Sequence, residues 1–79
     1  GAETYYSVQV GSFKKRISIK RFSDKWGLNP DDLHYRDEGS FTKVSFGRYE
    51  TEAMAKLVQE QLVEMGIKCF VIKLPRLKK

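Results

Sequence analysis

A short motif occurs twice in this chain. Val8-Gln9-Val10-Gly11-Ser12-Phe13 returns in altered form as Val44-Ser45-Phe46-Gly47-Arg48-Tyr49, thirty-six residues later. Each copy is followed by helical spacing and then by a strand-like run, so the chain reads as two βαβ halves. Right-handed crossovers in both halves put the two helices on one side of a four-stranded sheet. The two matched strands are then central, and the other side of the sheet is uncovered.

Alternation assigns the faces of the strands. Tyr6, Val8 and Val10 share one face while Ser7 and Gln9 point the other way; Val44 and Phe46 face the core, and Phe41, Lys43 and Ser45 oppose them. Leu33 to Arg36 makes a short strand between the turn chemistry of Asn29-Pro30-Asp31-Asp32 and that of Asp37-Glu38-Gly39-Ser40. The run Ile67 to Leu74 is a last strand with Ile67, Cys69 and Val71 inward. Phe70, Ile72 and Leu74 then lie on the opposite surface.

Two helices fit between these strands. Ile19, Phe22 and Trp26 recur at helical spacing before Gly27, which predicts a helix over about residues 16 to 26. Lys14, Lys15 and Arg16 would crowd the positive end of its dipole, which favours a start nearer Ser18. Thr51 offers an N-cap to a second helix with Met54, Leu57, Val58, Leu62 and Met65 as its apolar stripe and Gly66 as its stop. The expected fold class is α+β: a ferredoxin-like or RNP-type βαββαβ arrangement, an antiparallel sheet with both helices on one face and the other face open.

Seventy-nine residues suffice for one domain and one core, with residues 5 to 74 as its body and a basic tail at 75 to 79. A composition 41% hydrophobic and 13% aromatic supports folding rather than disorder. The net charge of +5 favours an anionic partner: nucleic acid, an acidic polysaccharide or a membrane surface. No apolar stretch approaches a membrane span, and the polar start has no signal-peptide pattern, so the chain reads as a module of a longer protein. Cys69 is alone, which excludes an internal disulfide and suits a small buried hydrophobe.

The open face presents Ser7 and Gln9, then Phe41, Lys43 and Ser45, then Phe70 and Ile72, with His34 or Arg36 at its border. Amide and hydroxyl groups beside apolar surface suit a sugar, whose rims are polar and whose ring faces are apolar. RNA-recognition modules share this element order, so nucleic acid is the first rival. Yet Gln9 and Lys43 occupy two of the positions where base-stacking aromatics are expected, leaving Phe41. Stacking contributes about 1 to 3 kcal/mol per base, so this argues against single-stranded nucleic acid, although the charge still permits non-specific binding. A protein-interaction domain using Phe70 and Ile72, or an unpaired sheet edge, is the other alternative.

Three segments in order, Tyr6-Ser7-Val8-Gln9-Val10-Gly11-Ser12-Phe13, Val44-Ser45-Phe46-Gly47-Arg48-Tyr49 before an Ala53-containing helix, and Gly66-Ile67-Lys68-Cys69-Phe70-Val71-Ile72, resemble a SPOR (sporulation-related repeat) domain. The resemblance implies the open-faced fold and binding to bacterial peptidoglycan, on glycan strands denuded of stem peptides by amidases. It implies a place in the cell envelope or periplasm, enriched at division septa, with any membrane attachment supplied by segments outside this chain. The family's glycan-contacting positions correspond to Gln9 on the first strand, to Ser12 at the start of the following loop, and to Phe70 on the fourth strand. Arg48 stands where Pro is common in the family. The lactyl carboxylate freed when a stem peptide is removed could be met by Lys43, Arg48 or the cluster from Lys14 to Arg16.

Catalysis is not expected. One His, one Cys and scattered carboxylates supply no positioned pair of titrating groups, and Asp31 with Asp32 reads as turn chemistry. There is no Gly-rich phosphate loop and no metal-ligand spacing, so neither cofactor nor metal is expected.

Overall fold

The computed structural model describes residues 4–75. Of the tail expected at 75 to 79, Pro75 is instead the last residue of the fourth strand, and residues 76 to 79 lie outside the described residues. The elements run β1 (Thr4–Phe13), α1 (Arg16–Trp26), a 3-10 turn (Pro30–Asp32), β2 (Leu33–Glu38), β3 (Phe41–Tyr49), α2 (Glu52–Met65) and β4 (Phe70–Pro75). The strands pair in the order β2-β3-β1-β4, all antiparallel, so the two matched strands are central as the repeat requires.

Both helices pack on one face. Val8, Val10, Leu33 and Val44 from the sheet bury against Ile19 of α1 and Ala55 and Leu62 of α2. The opposite face carries no helix. Each buried aliphatic side chain contributes about 1.5 to 3 kcal/mol, so this one-sided core largely sustains the fold.

The two motif copies solve the same local problem. In each, a glycine lies under the aromatic ring two residues on. A Cβ at Gly11 would come within 2.6 Å of the Phe13 ring, and one at Gly47 would overlap the Tyr49 ring and hydroxyl. Phe13 in turn packs on Phe22 of α1, ring centroids 5.4 Å apart.

The helix ends follow suit. Gly27 and Gly66 both adopt left-handed backbone conformations. At the first end, Gly27 N–H donates to Asp24 O and Leu28 N–H to Ser23 O; at the second, Gly66 N–H donates to Val63 O and Ile67 N–H to Leu62 O. Each is a Schellman cap whose following residue, Leu28 or Ile67, is buried.

Several expectations need correction. α1 begins at Arg16 and not near Ser18: Lys15 is its N-cap, with no side-chain cap and no acid in the first turn. The Phe13–Phe22 contact turns the chain into the helix at once, and packing overrides the unfavourable dipole. The α2 stripe is narrower than the spacing suggests, with Ala55, Val58 and Leu62 at the core while Met54, Leu57 and Met65 are about half exposed. β4 begins at Phe70. Ile67 and Cys69 precede it, and Cys69 is held by Gln59, whose Nε2 donates to Cys69 O at 3.1 Å. Burial raises the Cys69 thiol pKa.

Candidate functional site

The register assembles the open face. His34, Ser45, Gln9 and Phe70 are successive cross-strand partners, so one row of side chains runs across all four strands, over ~14 Å at ordinary strand spacing. Arg36, Lys43 and Ser12 form a second row beside it. Ser7 pairs with Ile72 and Tyr5 with Leu74 on the other flank.

Two irregularities in the β1–β3 pairing shape this surface. Tyr6 pairs with Tyr49 but Val8 pairs with Phe46, so Gly47 and Arg48 together oppose Ser7. Gly47 takes φ +75°, a conformation that glycine tolerates and other residues resist. The extra residue turns Arg48 onto the open face, where its guanidinium lies 5.2 Å from the Tyr5 ring centroid. On the other strand Val10 is the extra residue, which leaves Val10 in the core and returns Ser12 to the open face.

The bulge also explains the largest correction to the expected site. Ser7 and Ser45 share the open side but have no exposure. The Ser7 hydroxyl is shared between the carbonyls of Phe46 and Gly47, at 3.1 and 2.6 Å, which accommodates carbonyls that the bulge takes out of the ladder. Ser45 is enclosed between its partners His34 and Gln9, and its Oγ has no hydrogen-bond partner. Ser12 is placed differently too: it is an exposed residue of β1 and not the start of a loop.

The other candidates remain at the surface. Phe70 is 54% exposed at the edge of the row, Ile72 is half-buried beside Ser7, and Phe41 is exposed with Lys14 Nζ 5.5 Å from its ring centroid. Lys43 lies half-buried between Arg36 and Ser12. Gln9 is centrally held, because Arg36 reaches from the edge strand across β3 and donates through Nη2 to Gln9 Oε1 at 2.6 Å. Its Nη1 meets Glu38 at 2.8 Å, while its enclosed Nε has no partner. With the Gln9 carbonyl engaged, the amide NH2 is the group left to offer a ligand.

A pocket of about 350 Å³ opens at the end of this face where β1 begins and β4 ends. Tyr5, Leu74 and Pro75 form its side on β1 and β4; His34, Arg36, Ser45 and Arg48 line it from β2 and β3. The His34 pKa is lowered by burial and by the Arg48 charge, which outweigh Asp32. Burial and the Asp32 charge raise that of Tyr49.

Sequence reasoning set Arg36 and His34 only at the border and missed Tyr5. The signal for Tyr5 was present in its parity with Ser7 and Gln9. The reach of Arg36 over a whole strand has no such signal. Among the described residues, no three His, Cys, Asp or Glu side chains gather as metal ligands, and no helix is long and apolar enough to cross a membrane.

A search of curated proteins finds no match to this chain. Its fold is similar to the solution structure of the peptidoglycan binding domain of the B. subtilis cell wall lytic enzyme CwlC, with a TM-score of 0.76, 19% identity and 92% of both chains covered. At that identity the likeness is one of fold. The model of the SPOR domain family matches residues 2–73, and with nearly the whole chain so matched, this protein belongs to the SPOR domain family.

Proposed function

We propose that this chain is a non-catalytic module that binds peptidoglycan through the open face of its sheet, on glycan strands from which the stem peptides have been removed. The observation that carries this reading is the uncovered row across the sheet, in which a tethered Gln9 amide stands beside exposed Phe70. Phe70 offers an apolar surface for the face of a sugar ring, and Gln9 and Ser12 offer hydrogen bonds to its rim. The likeness in fold to a peptidoglycan binding domain, and membership in the SPOR family, support the same ligand.

Selectivity for stripped glycan would rest on access: both helices pack on the other face, and a bulky peptide on every second sugar would keep the strand from lying against this one. Such a module would carry a larger envelope protein to septal wall, where amidases expose bare glycan.

Retention on amidase-treated sacculi compared with intact sacculi tests the reading. Strong retention on treated walls and weak retention on intact ones is expected, and equal retention would remove the selectivity for bare strands. Gln9→Ala and Phe70→Ala should each weaken binding roughly tenfold while leaving the fold unchanged. Unchanged affinity in both would mean that the sugar lies elsewhere.

A further inference from the structure

Among the described residues, Arg48 is a cation without an acidic partner. It makes no ion pair with any described residue, whereas Arg36 in the same pocket is paired to Glu38. None of the residues lining that pocket is acidic. The Tyr5 ring holds the Arg48 guanidinium at the pocket rather than in open solvent.

We propose that this pocket is a carboxylate subsite: Arg48 takes the carboxylate of an acidic sugar in a two-pronged, charge-assisted grip, while Leu74 and Pro75 support the body of the sugar. A guanidinium presents paired donors that match a carboxylate, which a lysine ammonium does not. The volume, about 350 Å³, is at the lower end for small-molecule sites and suits one sugar residue. The inference rests on the glycan reading above. In peptidoglycan the carboxylate is the lactyl group of muramic acid, which is free only where the stem peptide is gone, so the subsite adds a charge-based criterion to the steric one. The pocket lies at the opposite end of the face from Ser12; it shares His34 and Ser45 with the row that leads to Gln9 and Phe70, and it adds Tyr5, Arg48, Leu74 and Pro75 beyond that row.

The test uses bare glycan fragments of defined length and the same fragments with their lactyl carboxylates reduced to alcohols, titrated calorimetrically against the intact chain and Arg48→Gln. Arg48 is exposed, so the substitution should leave the fold intact, as an amide NMR spectrum would verify. Reduction of the carboxylates should weaken binding to the unsubstituted chain roughly tenfold or more, and Arg48→Gln should abolish the difference between the two ligands. His34 and Tyr5 resonances should shift with the native fragment. Equal binding of both ligands by the unsubstituted chain overturns the subsite and leaves the glycan reading standing. A persistent difference in Arg48→Gln assigns the carboxylate to another cation and also overturns it. Binding of neither ligand removes the glycan reading and the subsite together.

Discussion

The two βαβ halves use one plan and differ in how firmly it is enforced. Each has a glycine beneath an aromatic ring and a helix closed by a Schellman glycine. In the second half the helix also has a start signal, since Thr51 Oγ1 accepts from Met54 N–H and Glu52 sits in the first turn. The first half has neither: Lys15 caps nothing, and the helix contributes Ile19 and Ser23 to the interior while α2 packs on β1, β3 and β4. Local chemistry specifies α2, whereas α1 depends on its contacts. Stability is therefore unevenly distributed across a nearly symmetric fold.

The largest expected effect separates the two glycines. Gly47→Ala should cost roughly 2 kcal/mol or more in urea unfolding, because it adds left-handed backbone strain to the collision with Tyr49. Gly11→Ala meets only the Phe13 ring and should cost about half as much. Equal losses would mean that the bulge carries no special strain.

The helix starts come next. Thr51→Ala should destabilise by about 1 kcal/mol, and Lys15→Asp should stabilise by about 0.5 to 1 kcal/mol by supplying the missing cap and complementing the dipole. If Lys15→Asp brought no gain in the urea midpoint, the apparent weakness of α1 would be compensated elsewhere.

The smallest effect concerns His34. Its imidazolium is disfavoured in the folded chain, so the unfolded chain binds more protons near and below the ordinary imidazole value of about 6.5. A small part of the stability is present above that pH and is lost as pH falls through it. Arg48→Gln should raise the His34 pKa in an NMR titration, and an unchanged value would place the Arg48 charge too far away to matter.

Much of this was legible in the sequence because period and punctuation are local. The alternation around Val8 and Val44 assigns the core face, Gly27 and Gly66 stop the helices, and Thr51 starts one. What was not legible depends on distant partners. The depth of Ser7 follows from carbonyls thirty-nine and forty positions away, and the anchoring of Gln9 from an arginine on another strand. Helical spacing gave the direction of the α2 stripe but not its width, because the sheet beneath accommodates Ala55, Val58 and Leu62 and leaves Met54 and Leu57 outside. Among the site candidates, those chosen by parity alone were reliable for side and unreliable for depth.

The one-residue insertion at Gly47 and Arg48 has a wider consequence. A side chain that simple alternation would assign to the helix-facing layer is delivered to the open one, with no hydrophobic position altered. Relatives that gain or lose this single residue could exchange a cation for bare surface at that end of the platform, so ligand preference could diverge by a change of count rather than of composition.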